Sequence, residues 1–238
     1  MEYDAGGLFN LNSSLTSLAH ELKSPLVLIR QLALSLGDDN FTERDLKTIS
    51  HQLNLTSDRA LRLVSDLTKV ARLEDAMFQL DPINPRVICD EVLFSMSSIY
   101  KLHSRHLDVK YPRGSTLIIA NQDLLRSVIY NFCDNALRYS FENSPSRLFI
   151  QFVSARKLRI GVRDYGPCLP PHIWREIKKS GAIHQPQPIQ ARPQSSGLGL
   201  YIISKFIHAM NGKLGVVHHR DGITMYADFT TSNQLSLL

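Results

Sequence analysis

Leu18 to Leu26 reads LAHELKSPL. A histidine and an acid stand side by side among leucines spaced like a helix, and a proline follows five positions after the histidine. The rhythm extends in both directions. Leu8, Leu11, Leu15, Leu18, Leu22, Ile29, Leu32 and Leu36 fall in steps of three and four, with Pro25 between Leu22 and Ile29. Such spacing is a heptad seam. The stretch GDDN (Gly37 to Asn40) ends the helix, and TERD (Thr42 to Asp45) opens another in the pattern of a capping box. Leu46, Ile49, Leu53, Thr56, Ala60, Leu63, Leu67 and Val70 repeat the seam. These residues predict a helical hairpin of two long arms in residues 1–80. A hairpin alone has little against which to bury its seam, so a homodimer forming a four-helix bundle is expected. A monomeric hairpin packed on the rest of the chain is the alternative.

His20 lies two residues from both Leu18 and Leu22, about 200° around the helix from each. It falls off the seam, in line with Ser13, Ser17 and Ser24. A solvated surface histidine would satisfy that placement. A nucleophile would too, because Glu21 could accept a proton from one ring nitrogen and leave the other more nucleophilic near neutral pH. Pro25 has no N–H for the Glu21 carbonyl, so a bend or loosening is expected beside the histidine.

The whole chain is 238 residues long, 43% hydrophobic and 21% charged, enough for one large or two small domains with cores. No run approaches the roughly 18 apolar residues of a membrane span, and the N-terminus lacks a signal-peptide pattern, so a cytoplasmic protein without a membrane segment is expected. Cys89, Cys133 and Cys168 show no CxxC spacing and suit a reducing compartment. The net charge is +5, but Lys and Arg are scattered, and nucleic-acid binding is not expected.

Residues 81–238 mix helices and strands. DPINP (Asp81 to Pro85) closes the hairpin, with Asn84 as an N-cap and Pro85 at the first helical position. A helix runs to about Leu102, strands cover Leu107–Tyr111 and Thr116–Ala120, and a helix covers Gln122–Tyr139. Strands at Leu148–Val153 and Leu158–Arg163, a short helix near His172–Lys179, a helix from Leu200 to Met210 and two last strands complete an α+β sandwich of mixed sheet and helices.

Three stretches of this unit carry chemistry. In NFCDNALRYS (Asn131 to Ser140), Val128, Ile129, Phe132 and Ala136 form the core face, while Asn131, Asn135 and Arg138 share another. Asparagine is a mediocre helix former, so the stripe is either a polar surface or a set of hard oxygen ligands for Mg²⁺ beside a phosphate-binding arginine. In IGVRDYGP (Ile160 to Pro167), Asp164 ends a strand before a glycine; it is a turn aspartate or an acceptor for an exocyclic amine such as that of adenine. In SSGLGL (Ser195 to Leu200), Gly197 and Gly199 open a helix and would let backbone N–H groups approach phosphates. Just before it, HQPQPIQARPQ (His184 to Gln194) holds three prolines and four glutamines and reads as a mobile lid.

In this order the motifs resemble those of two-component sensor histidine kinases, over about residues 8 to 230. HELKSPL is similar to the phosphoacceptor motif of the dimerisation and histidine-phosphotransfer domain, NFCDNALRYS to the N box, DYGPC to the first glycine box and SGLGLYIISKFIHAMNGKLGV to the second. The resemblance implies a dimeric four-helix bundle followed by a GHKL-type ATP-binding domain. It implies that His20 accepts the γ-phosphate of ATP with Glu21 orienting it or acting as base. Asn135, supported by Asn131, would hold Mg²⁺; Arg138 and Tyr139 would stand where the family has lysine and an aromatic ring. Asp164 would accept from adenine, Gly166 would make room for the ring, and Gly197, Leu198 and Gly199 would line the phosphates. The partner implied is the receiver domain of a response regulator, with the input coming from an upstream sensor protein or a sensor domain outside this chain.

The motifs also depart from the pattern. Cys168 and Ser195 replace glycines, HIWREIKKS (His172 to Ser180) replaces the phenylalanine motif before the lid, and Ser24 stands where threonine or asparagine is usual. These changes leave open a catalytically silent dimeric scaffold that binds a regulator or another kinase.

Overall fold

The computed structural model describes residues 5–36, 42–73, 78–114, 116–142, 144–187 and 197–232, without the side chains of residues 5–18 and of His20. Two long helices form the hairpin, α1 (Ala5–Ser35) and α2 (Glu43–Arg72). The capping box at the start of α2 is complete: Thr42 accepts from the Asp45 N–H at 3.2 Å, and the Asp45 carboxylate accepts from the Thr42 N–H at 3.0 Å. α1 continues through Pro25 as one helix. The expected loosening there does not interrupt it.

The rest is a two-layer unit. Its sheet has the order β2-β4-β5-β7-β6, built from β2 (Leu107–Lys110), β4 (Ser146–Ser154), β5 (Lys157–Asp164), β6 (Lys213–His219) and β7 (Gly222–Thr230). Only β2 and β4 pair in parallel. The helices α3 (Pro85–Leu102), α4 (Gln122–Tyr139) and α6 (Leu198–Ala209) supply apolar side chains to the core beneath the sheet, and α5 (Pro171–Ser180) lies against β6. Alternation in β5 and β7 sends Leu158, Ile160, Val162, Ile223, Met225, Ala227 and Phe229 into that core. On the opposite face Tyr226 lies across Gly161 and Gly215, where a Cβ would collide with it.

Several expectations need adjustment. Asp81–Ile83 is a short strand, β1, paired antiparallel with β3 (Ile118–Ala120), although its proline argued for a mere connection. The helix expected from Leu200 begins at Leu198. Most consequential, the hairpin is not short of a surface to bury: Leu63, Leu67 and Val70 of α2 pack on the core of the second unit. Leu26, Leu34, Leu61 and Val64 remain exposed on the hairpin. Cys89 and Cys133 are buried free thiols, both pushed up in pKa chiefly by burial. Among the described residues no helix is long and apolar enough to cross a membrane.

Candidate active site

The candidate site is laid out along α4. Leu124, Leu125, Val128, Ile129, Phe132 and Ala136 are buried in the core, which rotates Asn131, Asn135 and Arg138 to the half-buried flank. From Asn131 to Tyr139 this flank spans roughly 12 Å of helix. An elongated ligand could lie against it.

At the Asn131 end stands the start of α6. Gly197 is its N-cap, with φ of 75°, and a Cβ there would collide with the Gln187 carbonyl, so this glycine is required by the backbone itself. Gly199 is different. Among the described residues, a Cβ there would meet just the Asn131 Oδ1, at 3.8 Å, an ordinary van der Waals distance. The N-cap glycine brings no capping side chain to the first turn of α6, and a helix N-terminus is a place where an anion is favoured. Leu198 is buried and anchors that turn in the core.

At the Tyr139 end stands the loop after β5. Asp164 is 2% exposed, and its Oδ1 accepts from the Gly166 N–H at 2.9 Å. The Phe141 N–H donates to the Tyr165 carbonyl at 3.1 Å, pinning the loop to the end of α4. Gly166 was expected to make room for a ligand ring. Its smallness has a nearer cause, since a Cβ would collide with the Tyr139 carbonyl. Arg138 lies 3.9 Å from Asp134 and 5.3 Å from the Tyr139 ring centre.

The hairpin adds residues that the motifs did not reveal. Asp66 of α2, 8% exposed, accepts from the Ser127 hydroxyl at 2.7 Å and from the Asn131 Nδ2 at 3.1 Å, with Lys69 at 3.5 Å. Lys69 also donates to Ser127 at 2.8 Å. Further along, the Arg62 guanidinium lies 4.4 Å from the Tyr130 ring centre, and Arg59 lies 3.9 Å from Asp134. These contacts make an antiparallel ladder between α2 and α4. Burial pushes the Asp134 carboxyl up despite the pull of Arg59 and Arg62, and Glu21 adds to the rise. The turn of α1 that bears Glu21 therefore lies within electrostatic reach of α4. A sequence sign of Asp66 did exist: three residues after Leu63 and four before Val70, it is an acid on the face of α2 that carries the leucines.

Other expected features divide. The His20 side chain, Ser195 and residues 188–194 of the expected lid lie outside the described residues. Glu176 of α5 accepts from the His184 N–H at 2.9 Å, holding the near end of that stretch. Cys168 is exposed, has no positive φ, and points its Sγ at the carbonyls of His219 and Gly222, 4.0 and 3.9 Å away. It is not strained by replacing glycine.

The residues fit a nucleotide and a hard cation. The Asn135 side chain makes no hydrogen bond to another described residue, and the Asn131 Oδ1 lies toward Gly199. Carboxamide oxygens of this kind suit Mg²⁺, which commonly takes one or two protein ligands beside substrate phosphates.

Residues 120–233 match the family described as histidine kinase-, DNA gyrase B- and HSP90-like ATPases. More particularly, the chain resembles two-component sensor histidine kinases. It is 26% identical over 212 residues to the adaptive-response sensory kinase SasA of Crocosphaera subtropica, covering 85% of this chain and 54% of that protein. With the sensor protein QseC of Salmonella typhi it shares 32% over 206 residues, 83% of this chain and 43% of the relative. The chain thus spans about half the length of the curated relatives it matches. Among solved structures, the histidine kinase ThkA in complex with the response regulator protein TrrA superposes with a TM-score of 0.65 at 18% identity, over 95% of this chain and 64% of that one. Full-length ShkA in complex with AMPPNP gives 0.59 at 24%, over 92% and 46%. These two likenesses show the shared fold.

Proposed function

We propose that the chain is an ATP-dependent protein-histidine kinase that phosphorylates itself on His20 and passes the phosphoryl group to an aspartate of a response-regulator receiver domain. The observation that carries this reading is the gathering of Asn131, Asn135, Asp164 and Gly199, from separate elements, along one flank of α4 beside the hairpin. Asp164 would accept from the adenine amine at the Tyr139 end, and the N-terminus of α6 would take the phosphates at the Asn131 end. Mg²⁺ held by Asn135 would neutralise phosphate charge. A ring nitrogen of His20 would form a P–N bond to the γ-phosphorus as the bond to the ADP oxygen breaks, with the ring proton passing to Glu21.

The sensory-kinase relatives support the reading, as do a structural relative described with AMPPNP and another described with a response regulator. The reading includes residues 1–80 as the dimerisation and phosphotransfer domain, 81–238 as the catalytic domain, a homodimer and a cytoplasmic location consistent with three free cysteines. Incubation with γ-labelled ATP and Mg²⁺ should yield acid-labile, base-stable label, and Asn135→Ala should sharply reduce it. If nucleotide binds but no label forms in any condition, the silent scaffold is the correct reading. That reading draws on Cys168 and Ser195 in place of glycines and on HIWREIKKS in place of the phenylalanine motif before the lid.

A further inference from the structure

An asparagine amide has two ends, and the structure assigns them at Asn131. Its Nδ2 donates both to the Ser127 carbonyl, at 2.9 Å, and to the Asp66 Oδ2, at 3.1 Å. Both partners are acceptors only, so rotating the amide by half a turn would set oxygen against oxygen. The Oδ1 is therefore turned toward Gly199, 3.8 Å from where a Cβ there would stand. Asp66 is itself held from two sides by Ser127 and Lys69. We propose that Asp66, a residue of the hairpin, is a positioning residue for the nucleotide site: it fixes the Asn131 oxygen toward the cation and phosphates, so that the metal-dependent part of nucleotide binding is complete only while α2 is docked on α4. This rests on the nucleotide-site reading above.

The coupling is reciprocal. If docking of α2 orders Asn131 for the cation, binding of the metal–nucleotide complex must strengthen the docking by the same factor. The hairpin that carries the phosphoacceptor and the domain that holds the donor are thereby linked through one carboxylate. Ser127→Ala makes a fitting control, because it removes a contact to Asp66 and leaves both acceptors of the Asn131 Nδ2 in place.

The test is calorimetric titration of AMPPNP into the full chain, with Mg²⁺ and again with EDTA, for wild type, Asp66→Ala, Asp66→Asn and Ser127→Ala. The positioning role predicts that Asp66→Ala loses roughly tenfold of affinity with Mg²⁺ and nothing in EDTA. Asp66→Asn, which keeps an acceptor oxygen, should retain much of the difference, and Ser127→Ala nearly all. A loss equal in both conditions would mean that Asp66 acts only in packing, and unchanged or tighter binding with Mg²⁺ would equally overturn the proposal. Failure of the wild type to bind AMPPNP at all would instead overturn the nucleotide-site reading.

Discussion

Two glycines two residues apart do different work. Gly197 has positive φ and faces a carbonyl, whereas a Cβ at Gly199 would meet, among the described residues, just the Asn131 oxygen at 3.8 Å. Gly197→Ala should therefore lower stability by about 1–3 kcal/mol, seen as a shift of the urea midpoint. Gly199→Ala should leave that midpoint nearly unchanged and weaken nucleotide binding by crowding the phosphate end. Reversal of the two outcomes would mean that the phosphates bind elsewhere. Asp134 supplies a second residue-scale prediction. Its folded-state pKa is raised above the ordinary carboxylate value, so the folded protein holds this proton more tightly than the unfolded chain does. Stability is then highest below the ordinary value and is lost as pH rises through the folded one. Asp134→Asn should remove that component. The difference between wild type and variant in urea titrations should grow, with the variant gaining, from about pH 4 upward. A difference independent of pH would contradict the assignment.

At the scale of elements, the helices were the readable part of the sequence. A capping box at Thr42 and a proline at the first position of α3 are local signals with one physical meaning each, and the structure bears them out, whereas of the expected heptad seam Leu36 and Leu46 are exposed and Leu63, Leu67 and Val70 pack on the second unit. Thr42→Ala should lower stability by about 1 kcal/mol through loss of both capping bonds, measurable in the hairpin's helical circular dichroism. No change would mean that the cap is idle. What escaped the sequence was pairing between elements. β1 is three residues with a proline, too short for alternation to show, and it is a strand only because β3 lies beside it. The partnership of Asp66 with Ser127 and Asn131 spans some sixty residues of chain, and no local pattern announces it. The α4 stripe was legible as a flank of polar residues. The separate duties of its members were not, since they depend on which helix end or loop faces each one.

At the scale of the molecule, one arm of the hairpin serves two surfaces. The C-terminal half of α2 buries Leu63, Leu67 and Val70 against the catalytic core, while Leu26, Leu34, Leu61 and Val64 are left exposed on the two arms. Those exposed side chains are where a second copy would close a four-helix bundle. Analytical ultracentrifugation should find a dimer, and Leu26→Glu with Leu61→Glu should convert it to a folded monomer; a wild-type monomer would contradict the bundle. The central claim is that His20 receives phosphate from a nucleotide held along α4. The most direct measurement is autophosphorylation by γ-labelled ATP and Mg²⁺ in wild type and His20→Gln, with dimerisation and nucleotide binding checked in both. The account predicts acid-labile label in wild type and none in His20→Gln, although the variant still dimerises and binds nucleotide. Full labelling of His20→Gln would contradict it.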